Sequence, residues 1–304
     1  MWPRELARYL GEARHWGYNG YGDWLTAFDL GSPYAPGLYS SLAIELYDRK
    51  KAAFRAASSM GMRLDLIACP NLVYLDQLRS DLVAEKSPKM LGQLLCPSKP
   101  EARAIILDNF DRQFRDLAEH DVALGSWTAF AYDFGGCACD RCAPWILTFA
   151  GLTREVRDVA RRHFPAIETR VATWWWDDEE YRRFGDWVSQ HEPGLCDTTV
   201  RHIRYGAVRM DEGDLPDGCR RLAFLHLGYG DVAGNGDIYA KFGAVVAPRR
   251  LPDTLATVAA QGATGFLAYS EGVFDDLNKA IAGALASGQA RDADEALRAY
   301  AERY

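Results

Sequence analysis

Short apolar runs alternate with longer amphipathic stretches along most of the chain. The runs at 17–24, 64–69, 126–132, 168–176, 195–202, 221–229 and 265–269 read as strands. Several are almost continuously apolar, the pattern of parallel strands covered on both faces. Between them a 3.6-residue period predicts helices at 4–16, 41–60, 98–120, 146–163, 178–190, 253–261 and 275–287. Ser98-Lys99-Pro100-Glu101 and Asp292-Ala293-Asp294-Glu295 are capping boxes, the first with a proline early in its first turn. Gly61, Gly262 and Gly288 stand where helices should stop. Residues 203–219 are charged and glycine-rich with no helical period, and read as a loop.

This alternation predicts an α/β fold with a parallel sheet. Seven strands with aromatic and acidic residues at their C-terminal ends fit a (β/α)8 TIM barrel that lacks its first βα unit. Residue 1 would fall just after the missing strand, and the helix begun at Asp292 is still running at Tyr304. The expected organisation is therefore a fragment of a longer enzyme. It has a barrel over 1–290 and the start of a C-terminal helical segment at 291–304. The competing architecture is a doubly wound open sheet.

Composition narrows the class. With 304 residues and 48% hydrophobic content, the chain can bury a large core. A net charge of −7 makes it a poor partner for nucleic acid or an anionic membrane surface. No apolar run approaches the roughly 18 residues of a membrane span, and the N-terminus lacks the apolar core of a signal peptide. Seven cysteines is an odd number, and three of them crowd into 137–142, which argues for a reducing compartment. The expectation is a soluble cytoplasmic protein. The 9 Trp, 15 Tyr and 13 Phe lie often at the ends of apolar runs, as in a cleft lined by ring faces for stacking on sugars. Serine-hydrolase (G-x-S-x-G), zincin (H-E-x-x-H) and P-loop signatures are absent.

In a parallel barrel the reactive side chains sit at the C-terminal strand ends and in the loops that follow. Asp133, in Tyr132-Asp133-Phe134-Gly135-Gly136, is a carboxylate on an aromatic strand end. Desolvation there suits a general acid. Cys137, Cys139 and Cys142 form C-x-C-x2-C, a spacing that can share a zinc with Cys96 or a histidine as fourth ligand, or simply pack as thiols that shape the loop. In Trp174-Trp175-Trp176-Asp177, strand alternation puts Trp174 and Trp176 on one face and Asp177 at the strand end. Asp178, Glu179 and Glu180 suit the first turn of the next helix. Later strand ends offer Arg201 and His202, then His226, Tyr229 and Asp231, then Glu271. Asp275 reads as a helix cap, and Asp276 and Asn278 as hydrogen-bonding groups between loops. Gly228, Gly230 and Gly234 lack dinucleotide-turn spacing. Trp24 and Asn71 supply a ring face and a hydroxyl ligand from the early strands.

The segment Tyr132–Trp145, with its glycines and cysteines, resembles the corresponding turn of bacterial glycoside-hydrolase-like barrels. These are related to the β-N-acetylhexosaminidase and α-glucuronidase type families. The segment Tyr269–Lys279 is similar to the closing strand of such proteins. The resemblance implies a TIM-barrel catalytic domain acting on carbohydrate. Hexosaminidases that use the substrate acetamido group carry an adjacent Asp-Glu pair at the fourth strand end, whereas Phe134 follows Asp133 here. The leading expectation is a glycoside hydrolase without a cofactor: Asp133 as general acid, and Glu271, Asp231 or Asp177 as base or nucleophile. Trp24, Asn71, Tyr132, Trp174, Trp176, His202, His226, Tyr229 and Asn278 would contact the sugar. The alternatives are a non-catalytic carbohydrate-binding barrel, or degenerate enzyme, and a metal-dependent hydrolase built on the cysteine cluster.

Overall fold

The computed structural model describes residues 3–25, 30–35, 37, 40–204, 207–213, 218–231, 244–270 and 274–304. By internal contacts the chain divides into two compact units. The first comprises Met1–Ala7, Gly20–Thr198 and Gly213–Cys219, and the second Arg8–Asn19, Thr199–Glu212 and Arg220–Tyr304.

The first unit carries strands β1 (Gly20–Asp23), β2 (Arg63–Ala68), β3 (Ser126–Phe130) and β4 (Glu168–Ala172). Neighbours in chain order pair in parallel, for example Tyr21 with Leu64, Leu66 with Trp127, and Thr128 with Arg170. Each parallel step needs a crossover, and helices supply it: α2 (Ser40–Ser59), α3 (Pro100–Glu119) and α4 (Trp145–His163). α5 (Asp178–His191) follows β4. Every residue of β3 is buried: Trp127, Ala129 and Phe130 are apolar, and the hydroxyls of Ser126 and Thr128 are taken up by Asp65. α3 and α4 turn their apolar stripes inward through Ile106, Phe110, Phe114, Phe149 and Val156. Pro100 opens α3 as expected, but the Ser98–Glu101 capping box does not form. Ser98 Oγ lies instead 3.0 Å from Cys96 Sγ.

The second unit holds most of α1 (Pro3–His15) and of β5 (Thr198–His202), with β6 (Arg220–His226), α6 (Arg250–Ala260), β7 (Phe266–Tyr269), α7 (Asp276–Ser287) and α8 (Ala293–Arg303). β6 and β7 pair in parallel, Phe224 opposite Leu267. Leu225, Leu227, Leu251, Val258 and Ile281 form its core. Asp292 caps α8 by accepting from Glu295 N at 2.8 Å, one half of the expected capping box; Glu295 Oε2 accepts from Arg291 N at 2.8 Å and not from Asp292 N. The helix docks on α1, with Trp16 stacked on Tyr300 at 5.9 Å and Arg303 Nε bonded to Glu12 Oε2 at 2.9 Å. Gly288 terminates α7 at φ +74°, a left-handed conformation that favours glycine.

Strand order follows chain order from β1 to β7. A doubly wound sheet would reverse direction at a switch point, so that alternative is set aside. The molecule is an α/β protein with seven parallel strands and eight helices among the described residues, consistent with a TIM-barrel-like fold lacking one unit. Among the described residues no helix is long and apolar enough to cross a membrane.

Candidate functional site

In the first unit the loops after β2, β3 and β4 bring several expected residues together. Asp133 lies just beyond β3 at φ +76°. Asp is one of the few non-glycine residues that adopt this conformation readily. The loop after β2 holds it there: Asp133 N donates to Lys89 O at 3.0 Å and Leu91 N donates to Asp133 O. The carboxyl is half-buried, and that burial pushes its pKa above the usual carboxylate value. The next residue, Phe134, is 41% exposed and packs 6.2 Å from Trp24, which also lies 6.1 Å from Phe130.

Tyr132 is buried. Its hydroxyl donates to Glu180, and Lys89 Nζ sits 4.7 Å above its ring and 3.2 Å from Glu180 Oε2. Glu180 does more than open a helix. It accepts from Asp177 N at 2.9 Å, while Asp177 Oδ1 accepts from Glu180 N at 3.0 Å, a complete capping box. Asp177 is thus an exposed N-cap carboxylate 3.8 Å from Lys89 Nζ. Lys89 and Glu180 were not legible as site residues, because their meeting depends on loops 91 positions apart.

The tryptophan run departs from strand geometry. β4 ends at Ala172, so Trp174–Trp176 occupy a turn and strand alternation does not apply. Trp174 and Trp175 stack at 5.4 Å with Trp175 at φ +61°. Trp176 points into the core, 2% exposed, against Phe184 at 5.0 Å and Tyr181 at 5.3 Å. Asn71 is fully buried, and its polar atoms are taken up by backbone. Nδ2 donates to Leu95 O at 2.9 Å and Gly136 O at 2.8 Å, and Oδ1 accepts from Gly136 N at 3.0 Å. Asp65, inside β2, is a buried carboxylate that sequence reasoning missed. It accepts from Ser126 and Thr128 at 2.8 and 2.6 Å, lies 3.7 Å from Arg170, and has its pKa raised by burial.

The four cysteines Cys96, Cys137, Cys139 and Cys142 place their sulfurs within 4.8 Å of one another. Cys96 comes from the loop after β2 and the other three from the loop after β3. Hydrogen bonding from Cys142 lowers the Cys137 thiol pKa to about 5.

In the second unit His226 and His202 are buried with rings 6.4 Å apart. Burial lowers the pKa of His202 to about 4 and that of His226 to about 3, so both are neutral at pH 7. Tyr229 and Tyr269 pack against His226 at 5.6 and 5.8 Å. Asp231 is engaged at the start of α6, accepting from Arg249 N at 3.0 Å and Arg250 N at 2.9 Å. Burial opposes its charge, but these bonds and the Arg249 guanidinium outweigh it and hold the carboxyl below its usual range. Asn278 mirrors Asn71: fully buried, it accepts from Ala247 N at 2.8 Å and donates to Leu227 O and Tyr229 O at 2.7 and 3.0 Å. Asp275 makes no side-chain cap; it pairs with Lys279 Nζ at 2.7 Å and accepts from Ser270 Oγ at 2.8 Å. Arg250, also unanticipated, donates to the carbonyls of Tyr229 and Gly230 at 2.8 and 2.9 Å. Glu271 lies outside the described residues.

No protein-family model matches the chain, and no curated protein matches it significantly. Among solved structures it is similar to an Anoxybacillus α-amylase, at 10% identity and TM-score 0.56 over 95% of this chain and 72% of that one. It is similar to the β-galactosidase of Rahnella sp. R3, at 11% identity and TM-score 0.55 over 97% of this chain and 54% of that one. It is also similar to the pneumococcal virulence factor StrH, at 12% identity and TM-score 0.52 over 97% of this chain and 80% of that one. The chain spans less than half of the Geobacillus thermoleovorans α-amylase (45%) and the Nostoc punctiforme debranching enzyme (43%). The fold is therefore that of glycoside hydrolases.

Proposed function

We propose that the chain is the barrel of a glycoside hydrolase, with Asp133 as the general acid. One observation carries the reading: a half-buried carboxyl with a raised pKa sits just past a barrel strand end, next in sequence to the exposed ring of Phe134. Such a group keeps a proton available to a leaving glycosidic oxygen. Trp24, Phe134 and the partly exposed Trp175, stacked on a buried Trp174, supply apolar faces for a sugar ring. Asp177 and Asp231 already serve helix N-termini, and the bonds made there lower the Asp231 pKa. Asn71 and Asn278 hold loop backbone in place. Tyr132 and Lys89 orient Glu180 at the edge of the same loop cluster.

The second reading is a barrel that binds carbohydrate without turnover. It is favoured by Phe134, which stands where acetamido-assisted enzymes carry their second acid. The two separate on one experiment: release of aryl leaving groups from α- and β-glycosides and uronides by wild type, Asp133→Asn and Glu271→Gln, each checked for cooperative unfolding. Turnover that collapses in a folded Asp133→Asn variant supports the hydrolase. Sugar-dependent thermal stabilisation without turnover supports the binding barrel. Turnover unchanged in Asp133→Asn removes the assignment of the acid.

A further inference from the structure

Among the described residues, four thiols gather as a cluster of ligating groups. The geometry points to a zinc ion held by Cys96, Cys137, Cys139 and Cys142, clamping the loop after β3 to the loop after β2 and so fixing the backbone of Asp133.

Distance carries the first half. Four sulfurs about 2.3 Å from a central ion at tetrahedral angles lie about 3.8 Å from one another. Here Cys96 Sγ is 3.7 Å from both Cys139 and Cys142, and Cys137 Sγ is 3.5 Å from Cys139. A disulfide needs sulfurs about 2 Å apart, so these contacts are far too long for one. They also form a closed group of four and not two pairs. Cys96, Cys137 and Cys142 are at most 1% exposed. Zinc binding would expel the thiol protons to solvent, leaving a ZnS4 centre of charge −2. Lys99 and Arg141 line the cleft of about 440 Å³ shared by Cys96 and Cys139, and can offset that charge. With four protein sulfurs around it the ion has no open position for water, so the site is structural and not hydrolytic.

Connectivity carries the second half. The two loops that supply the sulfurs are zipped together on both sides of Asp133. Asp133 N donates to Lys89 O, Leu91 N donates to Asp133 O, and Ala138 N donates to Glu85 O at 2.7 Å. Asn71, at the start of the first loop, grips Gly136 in the second. Asp133 and Gly136 both have positive φ, at +76° and +128°, and such positions persist where surrounding structure over-determines them. The thiolate centre closes the free end of this zip.

The inference does not depend on glycoside hydrolysis. The test uses the full chain, expressed in zinc-supplemented medium and purified under reductant. Metal analysis should find about one zinc per chain. Cobalt substitution should give the thiolate charge-transfer and d–d bands of a tetrahedral sulfur site. Cys139→Ser, at the least buried of the four sulfurs, should lose most of that signal while remaining folded by circular dichroism. Chelation of wild type should raise hydrogen exchange in 85–98 and 131–142 and leave 276–287 unchanged. A cooperatively folded wild type holding under about a tenth of a zinc, with no thiolate–cobalt band, overturns the site. So does peptide mapping that finds disulfides among the four cysteines in this reduced material. Bound zinc whose removal leaves exchange around Asp133 unchanged overturns the clamp.

Discussion

Asn71 tests whether its loop is held by side-chain-to-backbone bonds or the residue is free to meet a ligand. Its side chain is fully buried and makes three hydrogen bonds to backbone, at 2.8, 2.9 and 3.0 Å. Asn71→Ala strips partners from Leu95 O, Gly136 O and Gly136 N together. Each buried group left unsatisfied costs about 1–3 kcal/mol. Partial relaxation and entry of a water reduce the sum, so the expected loss is about 3–5 kcal/mol. For a domain of this size that lowers Tm on the order of 10 °C. Asn71→Asp is nearly isosteric and sharpens the test. One oxygen still accepts from Gly136 N, but the other faces two carbonyl oxygens and has at most one proton to offer. It should destabilise as much as alanine at pH 7 and recover part of the loss in acid, where the carboxyl protonates. Urea unfolding followed by tryptophan fluorescence measures both variants. A loss under about 1 kcal/mol for alanine, or a neutral Asn71→Asp, would refute the reasoning and return Asn71 to the list of sugar ligands.

Two further predictions concern ionisation. Burial raises the folded pKa of Asp133, so the unfolded chain ionises it more readily and its charge opposes folding above the folded pKa. Asp133→Asn, which tolerates the same positive φ, should raise Tm at pH 7. The gain should vanish near pH 3, where the carboxyl is protonated in both states; equal gains at both pH values would contradict this. His202 and His226 have folded pKa values of about 4 and about 3 against an ordinary 6.5. Their contribution is complete above pH 6.5 and is lost as pH falls toward those folded values, because the unfolded chain takes up the protons first. The urea midpoint should fall through that window in wild type and fall less in His202→Gln with His226→Gln. Identical slopes would show that other groups cause the acid loss.

The periodic signals in the chain were sufficient for its elements. All seven strands and eight helices lie within a few residues of their expected spans, because burial on both strand faces and on one helix stripe writes itself into local sequence. Errors of detail arose where tertiary partners overrode local rules. Ser98 turned from a helix cap to the cysteine cluster, and β4 stopped at Ala172, which freed the tryptophans from strand alternation.

For the site, the sequence by itself determined which residue types stand beyond the strand ends, and so the prominence of Asp133 and C-x-C-x2-C. It could not apportion their work. Whether a polar side chain faces a ligand or the backbone depends on which distant loop reaches it. Tertiary structure decided that Asn71 and Asn278 are consumed by buried backbone groups, that Asp177 and Asp231 serve helix N-termini, and that Trp176 is core. It also brought Cys96 to the other three thiols, and Lys89 to Tyr132 and Glu180. Hydrophobic periodicity is a local property that short windows of sequence record. Hydrogen-bond satisfaction and the gathering of thiols need the convergence of residues far apart in the chain, which only the folded arrangement of the loops supplies.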